Sequence, residues 1–338
     1  MKQRKNYFPI NSLAPMEDGI TVFVKKVVGR KSDGFAVIDN GKVILIDIGR
    51  EDGVELIKFL LTIREKWLAR TVAPKDKKAK LEVTVIVSHA HSDHMAALPL
   101  LFDDDRFCVT EIYAPERSSR SLDPSGELPS LIQCENVLEN MCKGLSEKGH
   151  TAKEITRLPF GKLCTIKAGS DDTIIEIYPS HIDWSADLPS DKEGYRYIRA
   201  NNPASYKENM AEIGHTNGIL NGNSLWVKVI KGDRSVLFTG DQRDRDEMLG
   251  AMIRYYGEES FKCDILTIPH HGEENYPPYL LGIANPQFTV FTTSIEKARP
   301  ETVKLCEDMG CTNYYTTDGD LYFYINKKEI KAYGIEPR

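Results

Sequence analysis

The sequence predicts an α/β fold in which strands and helices alternate along most of the chain. Residues 20–28, 35–39 and 42–48 are three apolar segments of strand length. The turn signal Asp39-Asn40-Gly41 joins the last two as a hairpin, so the chain should begin with an antiparallel meander. Residues 54–69 then carry apolar side chains at helical spacing, and strands alternate with helices after residue 224.

The remaining elements follow from the same patterns. We expect further helices at 95–102, 131–145 and 244–256, and further strands at 83–87, 109–113, 163–166, 173–178, 224–230, 235–239, 264–268, 288–292, 313–316 and 321–325. Residues 182–222 interrupt the rhythm with Asn, Gly, Ser, Pro and charged residues. A connection of about 40 residues is long for a compact domain, so we expect a lid or a passive insertion there.

The composition is that of an ordinary globular protein. The 338 residues are 41% hydrophobic and 28% charged, with a net charge of −6. No apolar run approaches the roughly 20 residues of a membrane helix, and the basic N-terminus lacks the apolar stretch of a secretory signal. We therefore expect a cytoplasmic protein without membrane contact. The acidity argues against long duplex DNA as a partner, and the basic cluster at 70–80 is interpreted as an exposed loop.

The seven cysteines are scattered and form no Cys-x-x-Cys pair. This spacing argues against a disulfide framework and against a zinc ribbon. Most of them are expected to be small buried side chains.

The segment after the strand at 83–87 concentrates groups that bind metals. His89, His91, Asp93 and His94 fall within six positions, although the chain has only eight histidines. Imidazole and carboxylate are ligands of divalent zinc, manganese and iron. If the backbone after the strand is extended, His89 and His91 point the same way and could bind one ion. Asp93 and His94 could bind a second.

This H-x-H-x-D-H motif resembles the signature of the metallo-β-lactamase superfamily, and four other segments occur in the superfamily's order. They are residues 43–49 with Asp47, 174–181 with His181, 236–241 with Asp241, and 265–272 with His270 and His271. The resemblance covers roughly residues 20–330 and implies a single domain over 1–338. It also implies a four-layer αβ/βα sandwich of two mixed β-sheets, with a lid insertion at 182–222.

The resemblance further implies a binuclear metal centre. It assigns seven ligands to two divalent ions: His89, His91 and His181 to the first, Asp93, His94 and His271 to the second, and Asp241 to both. Zinc is the first expectation, with manganese or iron as alternatives. A water or hydroxide between ions about 3.5–4 Å apart would be the nucleophile. Asp93 would orient it and take its proton.

Four other polar residues have expected roles. His270 would contact the substrate or protonate the leaving group, although the reverse order, with His270 as the ligand instead of His271, stays open. Asp47 is expected to fix a ligand histidine or a backbone turn, or to be a simple strand-end residue. Asn223 would hydrogen-bond near the site or serve as a turn residue. His150 is expected to be exposed just beyond a helix end.

The second half of the chain is also similar to the hydrolase domains of bacterial competence DNA-uptake channels and to phosphorylcholine-esterase-like proteins. The similarity depends on residues 223–225, 269–272 and 315–320. Glu273 stands where this pattern usually has Ser, and the usual Gly-Gln-Gly-Asp signature survives only loosely at 29–34. Both departures from the pattern bear on which substrate is bound, and not on the expected metal-dependent hydrolysis.

The leading hypothesis is a two-metal phosphodiesterase or nuclease-like hydrolase, acting on a small molecule or on single-stranded nucleic acid. Arg196, Arg199 and Lys207 in the long connection favour a phosphate substrate. The alternative is a lactone, ester or thioester hydrolase with the same site, and a third hypothesis is a metal-stabilised module without activity. His91 stands where oxygen-reducing di-iron relatives have Glu, which argues against redox chemistry. Asp241 argues against antibiotic hydrolysis. The oligomeric state is not predicted.

Overall fold

Two mixed β-sheets form the centre of the protein. The computed structural model describes residues 19–26, 32–49, 53–71, 79–117, 129–180, 220–242, 248–274, 276 and 278–338. Three sequence-based expectations lie outside these residues. They are the third histidine ligand at 181, the connection from 182 to 219 including His215, and most of the basic loop at 70–80.

The first sheet has eight strands in the order β15-β14-β1-β2-β3-β4-β5-β6. The expected meander consists of β1 (Gly19–Val24), β2 (Gly34–Asp39) and β3 (Lys42–Ile48), which pair antiparallel. β4 (Leu81–Ile86), β5 (Phe107–Pro115) and β6 (Thr156–Leu158) continue the sheet in parallel. β14 (Leu321–Asn326) and β15 (Ile330–Tyr333) extend it antiparallel beside β1.

The second sheet has seven strands in the order β13-β12-β11-β10-β9-β8-β7. Its antiparallel half is β7 (Cys164–Lys167), β8 (Thr173–Tyr178), β9 (Trp226–Lys231) and β10 (Arg234–Phe238). Its other strands run parallel to β10 and are β11 (Ile265–Thr267), β12 (Phe288–Phe291) and β13 (Thr312–Tyr315).

Helices cover the outer face of each sheet. In the described part of the chain the main helices are α1 (Gly53–Thr71), α2 (Ser92–Met95), α3 (Leu98–Phe102), α4 (Pro129–Met141), α5 (Met248–Tyr256), α6 (Pro278–Ala284) and α7 (Pro300–Asp308). Apolar residues of α1, α3 and α4 share one core with the first sheet, and those of α5, α6 and α7 share another with the second sheet. None of the helices in the described ranges has the length and apolar character needed to cross a membrane.

Alternating side chains on the strands connect these outer cores to a third core between the sheets. On β3, Val43 and Leu45 pack toward α1, whereas Ile44 and Ile46 join the core between the sheets. This is the two-residue period that a strand buried on both faces requires. The layers therefore run helix, sheet, sheet, helix, which confirms the predicted four-layer αβ/βα sandwich.

Two local expectations differ from the structure. The single helix expected at 95–102 is divided between α2 and α3, because Pro99 has no N–H to donate to the carbonyl of Met95. The short strands β6 and β15 lie at the two edges of the first sheet and were not predicted, since three or four residues carry little periodic signal.

The expectation that His150 is exposed is wrong. The side chain is buried, its Nδ1 lies 3.1 Å from the backbone N of Val109, and its Nε2 lies 2.9 Å from the carbonyl oxygen of Phe102. His150 thus accepts from β5 and donates to the end of α3, and these two bonds offset the cost of burying its ring.

The expectation that most cysteines are buried is also wrong. Cys142, Cys263 and Cys306 are buried, whereas the other four are partly exposed, and all seven are free thiols.

The carboxyl ends of the parallel strands place their following loops at one edge of the sandwich. The loops after β3, β4, β10 and β11 carry the residues singled out by the sequence. The backbone N–H of Leu225 donates to the carbonyl of Ser88 at 2.9 Å, which joins loops from the two sheets. The N–H of His270 donates to the carbonyl of Gly240 at 3.0 Å. These bonds hold the loops together at a common edge.

Candidate metal centre

The loop after β4 places two imidazole rings beside each other. The Nε2 of His89 lies 2.8 Å from the Nδ1 of His91, which has an extended backbone (φ −86°, ψ 152°) directly before α2. A carboxylate oxygen of Asp241 lies within 4.8 Å of ligand atoms of both rings, so the three could hold one ion. Burial and the neighbouring His94 hold the pKa of His89 well below its usual value, which favours the neutral imidazole that binds metals.

Four side chains from three loops form a second group. The Nε2 atoms of His94 and His271 lie 3.3 and 3.4 Å from Oδ1 of Asp241. Oδ2 of Asp93 lies 3.8 Å from Nε2 of His271, and its side chain is 31% exposed while the other three are buried. All four could hold one ion, because their ligand atoms lie within 4.8 Å of one another.

Atoms of this second group have the environment that a bound cation would complete. Both Nε2 atoms and Oδ1 of Asp241 are buried, and none has a hydrogen-bond partner among the described residues. Buried polar atoms are rarely left unpaired in folded proteins. Imidazole nitrogens and carboxylate oxygens that converge without bonding to each other fit a divalent ion between them.

The outer nitrogens of these histidines are held by other side chains. Nδ1 of His94 lies 2.8 Å from Oδ2 of Asp47. Nδ1 of His271 lies 2.8 Å from Oγ1 of Thr292 and 3.2 Å from Oδ1 of Asp33. A histidine that binds a metal usually donates its other ring N–H to a carboxylate, a carbonyl or water. These contacts orient both Nε2 atoms toward Asp241.

The carboxylates in and around the second group favour a positive charge beside Asp241. Burial alone would lower the pKa of His94, but Asp241 and Asp47 raise it well above the usual value. Burial likewise opposes protonation of His271, yet Asp241 and Asp33 raise its pKa to about 10. In turn the two histidines hold the pKa of Asp241 well below its usual value, although burial would raise it. The carboxylates around the two rings therefore favour positive charge in this pocket.

The backbone at the strand ends is constrained. Asp47, His270 and His271 have φ of 57°, 50° and 61°, in the left-handed region that non-glycine residues rarely adopt. Such conformations cluster at functional sites, where the surrounding structure imposes them. Gly49 lets the end of β3 approach Asp93 closely, because a Cβ on residue 49 would lie 2.3 Å from the carbonyl oxygen of Asp93.

The two adjacent histidines occupy different places. His271 joins the second group through its Nε2, 3.4 Å from Oδ1 of Asp241. His270 is also buried, with its Nε2 3.8 Å from Oδ2 of Asp241 and its Nδ1 3.4 Å from Oε1 of Glu274. The structure thus brings both histidines to Asp241, but only His271 also approaches Asp93.

The structure brings together six of the seven expected ligands, namely His89, His91, Asp93, His94, Asp241 and His271. The seventh lies at position 181, just beyond the described residues. Asn223, which was expected near the site, is buried and donates from Nδ2 to the carbonyl of Glu116 at 2.9 Å. This bond connects the segment before β9 with the end of β5.

Sequence reasoning missed several residues that surround the ligands. Asp33 belongs to the loosely retained signature at 29–34, which was the available signal for it. Ser224 lies in the quoted segment 223–225, 3.3 Å from Nδ1 of His89, and its Oγ accepts from the N–H of Asp241 at 3.2 Å. No sequence pattern pointed to Thr292 or Glu274. Thr292 follows a strand, and Glu274 follows the paired histidines.

Comparisons with known proteins give distant structural similarities. No protein-family model and no curated protein matches the chain. The metallo-β-lactamase fold protein YhfI from Bacillus subtilis aligns with a TM-score of 0.41 and 12% identity, over 88% of this chain and 96% of that chain. Tm1679, a metal-dependent hydrolase of the β-lactamase superfamily, aligns with a TM-score of 0.41 and 12% identity, over 91% and 99%.

Human tRNase Z, short form, aligns with a TM-score of 0.38 and 10% identity, over 82% of this chain and 95% of that chain. The strand orders of the two sheets and the three cores define the fold class directly. The chain has a four-layer αβ/βα sandwich of two mixed β-sheets.

Proposed function

We propose that this chain is a binuclear metal-dependent hydrolase of the metallo-β-lactamase superfamily and that it cleaves phosphodiester bonds. One observation carries the proposal: Asp241 belongs both to the group with His89 and His91 and to the group with Asp93, His94 and His271. A carboxylate shared by two ligand groups suits two ions held side by side, as in two-metal hydrolases.

The donor set favours zinc, with manganese or iron as alternatives. The groups combine imidazole nitrogens with carboxylate oxygens, and no cysteine takes part in the groups that the described residues form. We assign His181 to the first group as a further ligand, from the sequence alone. Two bound ions would lower the pKa of a water molecule toward neutrality and neutralise the oxygens of a phosphoryl group.

The partly exposed position of Asp93 suits a role in water activation. Its carboxylate lies at the rim of the site, 3.8 Å from Nε2 of His271, whereas His94 and Asp241 are buried beneath it. We assign to Asp93 the orientation of the attacking water and the acceptance of its proton. His270, beside Asp241 and Glu274, is assigned to contact the substrate or to protonate the leaving group.

The charge of the site supports an anionic substrate. The second group sets the imidazoles of His94 and His271 among the buried carboxylates of Asp33, Asp47 and Asp241, which favours positive charge. Ions held there would attract a phosphodiester and stabilise the charge that spreads over its oxygens during displacement. The connection at 182–219 lies outside the described residues, and its Arg196, Arg199 and Lys207 favour phosphate over acyl substrates from the sequence alone. Substrate assays therefore have to make this distinction.

The first experiment measures metal content and substrate class together. We expect about two ions per chain after loading with zinc or manganese, and turnover of bis-p-nitrophenyl phosphate or of a single-stranded oligonucleotide. The same preparation is assayed with p-nitrophenyl acetate and a simple lactone. Turnover of the acyl substrates alone would replace the phosphodiester assignment. Fewer than one ion per chain would remove the proposal, whereas metal binding without turnover of any substrate would favour a metal-stabilised module.

The second experiment changes the shared carboxylate. Asp241→Asn keeps the shape of the side chain but removes the charge that both ligand groups use. We expect kcat/KM to fall by more than about 100-fold, the upper range for residues that only support metal ligands, and metal content to fall with it. Asp171→Asn is the matched control, because the Asp171 side chain is fully exposed (100%). Equal effects of the two substitutions would contradict the assignment.

A further inference from the structure

Asp33 is a buried carboxylate that faces the second ligand group from outside. It lies directly before β2 and is 5% exposed. Its Oδ1 lies 3.2 Å from Nδ1 of His271, and its Oδ2 lies 3.9 Å from Nδ1 of His94. One side chain therefore approaches the outer nitrogens of both histidines in this group, although it is 238 residues from His271 in the chain.

The backbone of Asp33 holds a third member of the same group. Its N–H donates to the carbonyl oxygen of Asp93 at 3.0 Å, and its carbonyl accepts from the N–H of Gly49 at 2.9 Å. The residue is thus fixed between the loop after β3 and the first turn of α2. Its carboxylate has little freedom to leave His271.

The surroundings of the two ligand groups differ in charge. Among the described residues, Nδ1 of His89 in the first group faces two hydroxyls, those of Ser88 at 3.1 Å and Ser224 at 3.3 Å. The second group faces the buried carboxylates of Asp33 and Asp47, in addition to the Thr292 hydroxyl 2.8 Å from Nδ1 of His271. A carboxylate partner makes a ligand imidazole more basic and offsets the charge of a bound cation, whereas a hydroxyl is neutral.

We propose that Asp33 is a positioning residue which, through His271, sets the affinity of the second ligand group for its divalent ion. The inference depends on the proposed function only in requiring that both groups bind metal. Asp33 does not touch the reacting atoms. Replacing Asp33 should therefore change the affinity for one ion and not for the other. A general loss of stability would not produce this difference.

The test is a cobalt(II) and zinc titration of the metal-free protein against a chromophoric chelator. For Asp33→Asn we expect affinity for one ion to fall about 10–100-fold, the usual cost of losing an outer partner of a metal ligand, and affinity for the other to be unchanged. The visible absorption of cobalt(II) bound at the weakened site should shift as well, because the orientation of its histidine changes.

Asp39→Asn is the matched control at the other end of the same strand. Asp39 is likewise a buried carboxylate, and it accepts from the N–H of Ser170 at 2.7 Å and from its hydroxyl at 2.7 and 2.9 Å. Its loss should lower stability without changing either metal affinity. This control separates a local effect on His271 from a general effect of removing a buried charge from β2.

The outcomes are distinguishable. If the wild-type protein binds two ions and Asp33→Asn binds both as tightly, or loses both equally, the role of Asp33 is overturned while the proposed function stands. If the wild-type protein binds less than one ion, both are overturned. Should the variant fold poorly, ¹⁵N NMR of the imidazoles in zinc-loaded wild type decides. An Nδ1 proton on His271 that stays protected from exchange when Thr292 is replaced by Val supports the proposal, and one that then exchanges rapidly overturns it.

Discussion

Replacing Asp47 with alanine should destabilise the protein strongly even without metal. Asp47 is 1% exposed and satisfies three buried donors. Oδ1 accepts from the backbone N–H of Ser88 at 2.7 Å, and Oδ2 accepts from the Ser88 hydroxyl at 2.6 Å. Oδ2 also lies 2.8 Å from Nδ1 of His94, whose N–H it can accept. Asp47→Ala would leave all three donors without their acceptor.

The expected magnitude follows from these contacts. A buried donor that loses its partner costs about 1–3 kcal/mol, so three donors imply a loss of about 3–9 kcal/mol in the free energy of unfolding. The left-handed φ of 57° adds about 1–2 kcal/mol for alanine, since Asp tolerates that region better. Asp47→Gly removes the acceptors without this strain, and should be about 1 kcal/mol less destabilised than Asp47→Ala.

Urea unfolding of the metal-free protein, followed by circular dichroism, measures these differences. Asp171→Ala is the control and should stay within about 0.5 kcal/mol of wild type, because that side chain is exposed. A loss of less than about 1 kcal/mol for Asp47→Ala would refute the reasoning, as it would mean that water or rearranged side chains replace the lost acceptors. Equal stability of the Gly and Ala variants would refute the contribution of backbone strain.

Substitutions at Gly49 and His150 test the packing beside the site and a buried contact remote from it. Gly49→Ala should cost about 1–3 kcal/mol and weaken metal binding, because its Cβ would lie 2.3 Å from the Asp93 carbonyl oxygen. Gly282→Ala in α6, where nothing lies within 4 Å, should instead stabilise by up to about 1 kcal/mol, and equal effects in thermal unfolding would count against the argument. His150→Ala should destabilise by about 2 kcal/mol or more, because it removes a buried ring with two hydrogen bonds. Metal content should not change, and a loss of metal in the folded His150→Ala variant would show that the centre depends on this remote contact.

Local patterns determined much of the fold. The two-residue alternation that places Val43 and Leu45 on one face and Ile44 and Ile46 on the other could be read from the sequence, because strand geometry alone sets it. The hairpin at Asn40 and Gly41 has positive φ at both residues, as its turn signal predicts. Short edge strands and the burial of His150 could not be predicted in this way, since both depend on partners distant in the chain.

The candidate site likewise has one part that the sequence predicts and another that it does not. Spacing along one segment was enough to propose that His89 and His91 act together, because two residues on an extended backbone point the same way. The closeness of Asp241 to His94 and His271 was implied only by a family resemblance, and the role of Asp33 was not foreseen. Such contacts join residues from different loops, and the packing of two sheets decides which loops meet.

The sequence by itself determined the periodic elements, the strand ends that carry imidazoles and carboxylates, and the types of ligand available to an ion. The tertiary structure alone decided that Asp33 supports His271, that Asp47 supports His94, and that one carboxylate is shared by two groups. The physical reason is the separation along the chain over which each interaction acts. Backbone geometry couples residues a few positions apart, whereas the hydrogen bonds of a buried polar site depend on where separate strands end once the core between the sheets has formed.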